Sequence, residues 1–262
     1  MTRTTHTILN PGMPCAAFRG RCALAVMAKA PQAGQVKTRL SPPLDSHQAA
    51  ALNIAFLRDT IECLKQAQAV VPAHVVISYA PVGAETNFAG IVPEDVALIP
   101  QRGGGFGERL YNTAEDLFAA GFSAVCLIDS DSPTVPVRAY VKAVQRLLAD
   151  EDCAVMGPCD DGGYYVLGLN ALHPQLFENI GWSTEVVAEQ TRRKAQAIDL
   201  PLYSLPRWFD VDDRQTLTRL YEELVVLESV AGGFPAVHTR DYLRTISNQL
   251  DPIRVARRSA AQ

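Results

Sequence analysis

The stretch that decides the fold is AVCLIDSDSPTVP, residues 124–136. The apolar run 124–128 predicts a buried strand, which Asp129-Ser130-Asp131 ends abruptly. Ligands of open parallel sheets bind at the carboxyl ends of strands, and two carboxylates this close repel each other unless a cation accompanies them. Oxygen ligands suit Mg²⁺ or Mn²⁺. The stretch therefore predicts a metal site at a sheet edge, against the alternative of a helix cap or a solvated turn.

Strand and helix patterns alternate on both sides of this stretch. Apolar runs at 22–27, 74–80, 96–100, 153–157 and 164–169 predict further strands. Periodic apolar residues predict helices over 46–68, 110–118, 137–148, 184–197 and 217–227, with Gly121 ending the second of them. The alternation indicates an α/β domain with a mostly parallel mixed sheet, Rossmann-like, covered by helices on both faces.

Composition excludes several classes of protein. The chain has 262 residues, a formal net charge of −4 and no apolar run long enough to span a bilayer. We therefore expect no nucleic-acid partner and no membrane partner. The six cysteines are scattered without metal-ligand spacing, which predicts a reducing, cytoplasmic location without disulfides or zinc.

The loop after the first predicted strand, AKAPQAGQVKTRL (28–40), is basic. Lys29, Lys37 and Arg39 make it suitable for a chain of phosphates. It is not a Walker A loop, because Val36 stands where that motif requires glycine before its lysine. The alternative is a solvated basic loop.

The glycine-rich loop QRGGGFGERL (101–110) follows another predicted strand. Glu108 stands where a dinucleotide-binding fingerprint starting at Gly103 would need its last glycine, so a Rossmann dehydrogenase is disfavoured. Consecutive glycines allow a flat group to approach the backbone closely. A base-binding loop and a flexible turn both fit this motif.

Two later segments indicate an acceptor side. DDGGYYVLGL (160–169) supplies Asp161 as a proton acceptor for a hydroxyl, against the alternative of a tight turn. GWST (181–184) supplies Trp182 to stack on a ring, or to pack in the core, with Ser183 or Thr184 as a helix N-cap. The residues predicted to contact an acceptor are Asp161, Gly162, Gly163, Tyr164, Trp182 and Ser183.

A second acidic group, DVDD (210–213), follows Trp208-Phe209. In an extended segment, Asp210 and Asp212 face one way and Val211 the other. Asp212 or Asp213 is expected to cap the next helix. Asp210 is then the better candidate for a metal contact.

Taken in order, MAKAPQAGQVKTRL, GGGFGERL, LIDSDSP, DGGYYVLGL, GWST and FDVDD resemble the DUF2064 family of GT-A-type transferases over about residues 22–226. That family is similar to phospholactate guanylyltransferases and other nucleotidyltransferases. The resemblance implies a GT-A fold, also called the nucleotide-diphospho-sugar transferase fold. The residues themselves divide the chain into a flexible leader without periodicity (1–20), one catalytic domain (21–230) and, from about Gly232-Gly233, a C-terminal helical appendage with a basic tail (231–262).

The resemblance also implies roles for individual residues. The nucleotide phosphates would meet Lys29, Lys37 and Arg39, and the base would meet Gln101, Gly103 and Gly104. Asp129 would also belong to the nucleotide-binding set. The metal, Mg²⁺ or Mn²⁺, would be held by Asp129, Asp131 and Asp210. The catalytic residues would be Asp161, Asp131 and Lys37.

The reaction expected from this resemblance is metal-dependent transfer of a sugar from a nucleotide-diphosphate sugar to a small-molecule acceptor. The alternative is a nucleotidyltransferase that moves a nucleoside monophosphate from a triphosphate to a phosphorylated small molecule. A third possibility is a nucleotide-binding protein without turnover. The expected partners are the nucleotide sugar or nucleoside triphosphate, the acceptor, and a second copy of the chain in a homodimer.

Overall fold

Seven strands form one sheet in the order β3-β2-β1-β4-β6-β5-β7. The computed structural model of the chain describes residues 6–149 and 151–250. The strands are β1 (Cys22–Lys29), β2 (Ala73–Ala80), β3 (Ala97–Pro100), β4 (Ala124–Ile128), β5 (Ala154–Pro158), β6 (Tyr164–Leu169) and β7 (Leu202–Ser204). The first six match the predicted strands within one or two residues, and β7 was not predicted.

All neighbouring pairs are parallel except those that involve β6, which runs antiparallel to β4 and to β5. The buried residues of β1 and β4 are apolar on both sides, as expected for central strands that are covered on two faces. The predicted α/β architecture with a mostly parallel mixed sheet is confirmed.

Within the described residues, the helices that cover the sheet are α1 (Ser46–Gln68), α2 (Phe106–Ala119), α3 (Val137–Ala149), α4 (Val187–Ala197), α5 (Arg214–Tyr221) and α6 (Val237–Thr245). Buried residues of α1, α3, α5 and α6 pack with one face of the sheet, and those of α2 and α4 with the other. Among the described residues, no helix is both long and apolar enough to cross a bilayer.

Local sequence explains several helix ends. Asp45 accepts hydrogen bonds from the amides of His47 and Gln48, and the Gln48 side chain accepts one from the amide of Asp45, which starts α1. Gly121 follows the end of α2 with φ of 108°, as predicted. Asp213 caps α5 by accepting from the amide of Thr216.

The segments at both ends pack on this domain where they are described. The amide of Leu9 donates to the carbonyl of Leu98 at the edge strand β3. Near the other end, buried Asp59 of α1 accepts from the amides of His238 and Thr239 and so holds the start of α6. The division into leader, domain and appendage stays a prediction. Residues 1–5 of the leader and the predicted basic tail lie outside the described residues.

Candidate functional site

A cavity with two joined compartments lies at one edge of the sheet, where β1, β3, β4 and β5 end and β6 begins. The large compartment has a volume of about 590 Å³. Its cationic lining residues are Lys29, Lys37, Arg39 and Arg109. The small compartment, of about 220 Å³, has the apolar lining residues Phe106, Leu110, Leu127, Trp182 and Val187. The two share Asp129, Asp131, Asp161 and Asp212.

Lys37 occupies a different place from the one expected. Its side chain is only 4% exposed, and Nζ lies 2.8 Å from Asp131 Oδ1, 3.0 Å from Asp212 Oδ1 and 2.7 Å from the carbonyl oxygen of Val211. An ammonium has three hydrogens to donate, and these three partners use them all. In this structure Lys37, whose φ is 50°, therefore pairs with carboxylates instead of being directed at phosphates.

The surroundings of Lys37 keep it charged. Burial alone would lower its pKa, but the charges of Asp131 and Asp212 and their hydrogen bonds raise the pKa above its ordinary value. The ring of Phe56 lies 5.4 Å from Nζ. Lys37 thus holds the carboxylates of Asp131 and Asp212 close together, and all three residues line the large compartment.

Asp129 is the buried member of the D-x-D pair. Its Oδ2 accepts from the Ser132 hydroxyl at 2.7 Å, whereas its buried Oδ1 has no hydrogen-bond partner among the described residues. Burial, followed by the charges of Asp131 and Asp210, raises the pKa of Asp129 well above its ordinary value. An unpaired buried carboxylate oxygen is costly for folding.

Asp210 also lies close to two residues outside the predicted metal set. One carboxylate oxygen each of Asp161 and Asp210 and the Cys159 sulfur lie within 4.8 Å of one another. Asp131 is not in that group. Burial, then the charges of Asp161 and Asp212, raise the pKa of Asp210 to about 7.

The raised pKa of Asp210 predicts a pH dependence of stability in metal-free buffer. An acid whose folded-state pKa exceeds its unfolded value costs increasing stability as the pH rises between the two, here from about 4 to about 7. We therefore expect the melting temperature of Asp210→Asn, relative to the parent, to rise across this window. Thermal melts from pH 4 to pH 8 with a chelator measure it, and a constant difference would contradict the assignment.

The donor set fits a divalent metal ion. Asp129 offers an oxygen without a hydrogen-bond partner in the described part of the chain, and burial, followed by the charges of neighbouring carboxylates, raises the pKa of Asp129 and of Asp210. Both protein contacts of Asp131, from Lys37 and Ser130, fall on Oδ1. Hard oxygen donors favour Mg²⁺ or Mn²⁺.

The glycine-rich loop lies against its own helix. The Gly104 amide donates to Glu108 at 2.8 Å, and Arg109 donates to the Gly104 carbonyl at 3.0 Å. Neither Gly103 nor Gly104 lines either compartment in the described part of the chain. Gln101 does line the large compartment, with its side-chain amide donating to the Ser78 carbonyl at 2.7 Å. Of the three predicted base contacts, the structure brings only Gln101 to the cavity.

Two other residues predicted to contact phosphates, Lys29 and Arg39, line the large compartment. Lys29 ends β1 and lines the large compartment. The Arg39 side chain is 72% exposed, lines the same compartment and lies 4.0 Å from Asp212. Arg109, which was not predicted, adds a third cation besides Lys37.

The turn between β5 and β6 forms the floor of the small compartment. Asp161 accepts from the Gly163 amide at 2.8 Å, and both residues line that compartment together with Tyr164. Gly162 does not line it. With φ of 91°, Gly162 instead packs under the loop before α4, where an added Cβ would lie 1.9 Å from the Glu185 carbonyl oxygen.

Gly162→Ala is expected to destabilise the fold by more than about 3 kcal/mol, because a backbone atom blocks the new methyl group and a positive φ adds strain. Gly34→Ala is the matched control: its φ is 77°, but nothing lies within 4 Å of the added Cβ. We expect the control to lose about 1 kcal/mol. Urea unfolding compares the two, and equal losses would contradict the close contact.

The predicted helix start at 184 is wrong, because α4 begins at Val187 and neither Ser183 nor Thr184 caps it. The carbonyl of Gly162 accepts from the Ala188 amide at 2.9 Å, so the turn supplies an acceptor at the helix start. Ser183 has φ of 63° and lines both compartments. Trp182 meets Phe106 edge-on at 5.5 Å.

Sequence reasoning missed four residues of the site: Phe106, Arg109, Cys159 and Asp212. Asp212 had a signal, since it was expected to share a face with Asp210, but it was assigned to helix capping. Phe106 and Arg109 lie one turn apart at the start of α2. They follow the three successive glycines of the loop that was predicted to bind a ligand, so their position next to those glycines was the available signal. A buried cysteine such as Cys159 gives no sequence signal of its own.

Comparison with known proteins agrees with this architecture. A solved structure from Desulfovibrio desulfuricans G20, described as a candidate nucleotide-diphospho-sugar transferase, has a TM-score of 0.75 and 28% identity, covering 89% of this chain and 98% of that one. A second, 4-diphosphocytidyl-2C-methyl-D-erythritol synthase from Anaerococcus prevotii, has a TM-score of 0.48 and 9% identity over 76% of this chain and 95% of that one.

Glucosyl-3-phosphoglycerate synthase from Mycobacterium tuberculosis, solved with Mn²⁺ and UDP, has a TM-score of 0.45 and 11% identity over 77% of this chain and 79% of that one. No curated protein matches the chain. Residues 52–184, about half of the chain, match DUF2064, a family described as uncharacterized proteins conserved in bacteria. The resemblance predicted from the motifs is confirmed, and the chain belongs to the DUF2064 family.

Proposed function

We propose that this protein is a metal-dependent glycosyltransferase that moves a sugar from a nucleotide-diphosphate sugar to a small-molecule acceptor. The observation that carries the proposal is the distribution of charge in the cavity. Lys29, Arg39 and Arg109 line the large compartment, whereas the small compartment has no Lys, Arg or His among its described lining residues.

This distribution separates the two candidate reactions. Nucleotidyl transfer to a phosphorylated acceptor needs positive charge on both sides of the reacting phosphorus, because the acceptor phosphate must approach a polyphosphate. Glycosyl transfer needs it only around the donor diphosphate. The similarity to a candidate nucleotide-diphospho-sugar transferase supports the same choice.

Each part of the cavity then has a task. The donor diphosphate lies against Lys29, Arg39 and Arg109, with Gln101 near the base. Asp129 and Asp210, with Asp131, would hold the metal ion, which when bound neutralises charge on the leaving diphosphate. Lys37 is a positioning residue that fixes Asp131.

Asp161 lies where the two compartments meet. We assign it as the base that takes the proton of the acceptor hydroxyl while the oxygen forms its bond to the sugar and the bond to the diphosphate breaks. A positioned base contributes a factor of about 10²–10⁴ to the rate. The hydrogen bond from the Gly163 amide keeps the Asp161 carboxylate at the boundary between the two compartments.

A thermal-shift panel tests the proposal. UDP, GDP, CDP and dTDP are compared with their triphosphates and nucleotide sugars, with and without Mn²⁺. A ligand raises the melting temperature according to its concentration relative to its dissociation constant. We expect the largest metal-dependent shift from a nucleotide sugar. A triphosphate giving the largest shift would favour nucleotidyl transfer, and equal shifts without metal would favour a binding protein.

A further inference from the structure

We propose that the small compartment binds the acceptor through an uncharged alcohol attached to an apolar ring, and that it rejects phosphorylated and carboxylated molecules. The acceptor role rests on the proposed function. The preference of the compartment for an uncharged ring is inferred separately, from the residues that line it.

The walls of the small compartment are mostly apolar. Met27, Leu110, Leu127 and Val187 line it between the edge of the sheet and the starts of α2 and α4. Its volume of about 220 Å³ lies below the roughly 300–1,000 Å³ of sites for drug-sized ligands. A single ring with a short substituent suits this volume.

An aromatic corner closes one side. The rings of Phe106 and Trp182 are 5.5 Å apart at 83°, and Phe106 is 43% exposed although it is a large apolar residue. Gly107 permits this arrangement, because an added Cβ would lie 2.2 Å from Trp182 Nε1. Two rings set edge to face offer a third ring both stacking and edge contacts.

A buried hydroxyl supplies the polar contact. Tyr164 lines the compartment, and its Oη is buried with no hydrogen-bond partner among the described residues. Leaving such a group unpaired costs about 1–3 kcal/mol. A phenol hydroxyl both donates and accepts, so an alcohol or ether oxygen of a ligand would satisfy it without bringing a charge.

The charge of the compartment decides against an anion. Its ionisable lining residues are Asp129, Asp131, Cys159, Asp161, Asp210 and Asp212, without a cation among them. Lys37 pairs with Asp131 and Asp212 but does not itself line the small compartment. A ligand phosphate or carboxylate would find no cationic side chain to pair with among these lining residues. The proposed metal ion, once its charge is neutralised by its carboxylates and the donor diphosphate, would leave no net attraction for a ligand anion or for a ligand cation.

Direct binding of one matched series to the full chain tests this inference. The probes are 2-phenylethanol, 2-phenylethyl phosphate, 3-phenylpropanoate and 2-phenylethylammonium, titrated by ligand-observed NMR with Mn²⁺ and the nucleotide diphosphate that gave the largest thermal shift. We expect the alcohol to bind at least tenfold more tightly than each charged probe. Equal or tighter binding of any charged probe would overturn the inference.

Variants locate the binding. Tyr164→Phe keeps the ring and removes only the hydroxyl, so we expect about fivefold to tenfold weaker binding of the alcohol. Phe106→Ala, at an exposed position, should weaken it as well. Tyr203→Phe, whose ring lies over Arg146 away from the cavity, is the control and should change nothing. Unchanged binding in both Tyr164→Phe and Phe106→Ala would overturn the location.

The two levels of proposal fail differently. If no nucleotide sugar shifts the melting temperature, the glycosyltransferase assignment fails. The titrations are then carried out with Mn²⁺ alone, and tighter binding of the alcohol than of each charged probe would still support the inference about the compartment. If a nucleotide sugar binds but the alcohol does not exceed its charged analogues, the inference about the acceptor fails and the glycosyltransferase assignment stands.

Discussion

Lys37→Met is expected to lower the free energy of unfolding by about 3 kcal/mol at neutral pH, since removing one partner of a buried ion pair leaves the other charges uncompensated. The estimate lies at the lower end of the usual range because Asp131 and Asp212 are 31% and 43% exposed. Methionine keeps the length of the side chain and its contact with Phe56. Urea unfolding at pH 7 measures the loss.

Lys65→Met is the matched control for this prediction. Lys65 lies 2.6 Å from Asp95, but both side chains are far more exposed, at 35% and 64%. An exposed pair contributes at most about 1 kcal/mol. Losses of equal size in the two variants would mean that the buried position of Lys37 has no special effect.

The contribution of Lys37 also has a defined pH window. Its pKa is raised in the folded state, so the stability it adds is fully present below the unfolded value of about 10.4 and is lost only as the pH rises through the folded value. The difference between parent and Lys37→Met should therefore persist from pH 7 to pH 10. Mn²⁺ should stabilise the variant more than the parent, because Asp131 has lost its cation.

The sequence predicted the elements of this fold better than their relations. The run at 124–128 and the helix over 46–68 coincide with β4 and α1. In contrast, β7 has only three residues, too few for a period of two to be visible. The reversed direction of β6 could have been predicted, because five residues between β5 and β6 are too few for a parallel crossover.

The site shows where sequence reasoning stops. Placing Asp129, Asp131 and Asp161 at one edge required only that strands end together. The contact of Lys37 with Asp212 joins residues 175 positions apart, and depends on a positive φ that no local pattern announces at a lysine. Sequence reasoning thus assigned loop residues such as Lys37 to the correct edge of the sheet, but it did not predict which side chains they contact.

Asp129→Asn is expected to leave the fold as stable as the parent, or more stable, in metal-free buffer. The parent carboxylate is buried, and its Oδ1 has no hydrogen-bond partner within residues 6–149 and 151–250. Burial, with the charges of Asp131 and Asp210, raises its pKa, so ionisation at neutral pH opposes folding. An asparagine amide oxygen can still accept the hydrogen bond from Ser132. Melting temperatures of the two proteins with a chelator measure this difference.

The same change should weaken metal-dependent nucleotide binding by at least about 100-fold, because a neutral amide is a poor ligand for a divalent ion compared with a carboxylate. Isothermal titration with Mn²⁺ and the preferred nucleotide measures the affinity. Asp116→Asn is the control: Asp116 is 8% exposed, accepts hydrogen bonds from Nε and Nη2 of Arg102, and does not line either compartment.

The control should show the opposite pattern, with lower stability and unchanged nucleotide binding, since Asp116→Asn removes one of the two carboxylates that pair with Arg102. Opposite changes in stability and nucleotide affinity at Asp129 and Asp116 would show that the Asp129 carboxylate serves ligand binding and the Asp116 carboxylate serves the fold. The decisive observation is the pairing of the two effects at Asp129. If Asp129→Asn loses stability and keeps its affinity for nucleotide and Mn²⁺, the carboxylate serves the fold, and the proposed metal site at the end of β4 is wrong.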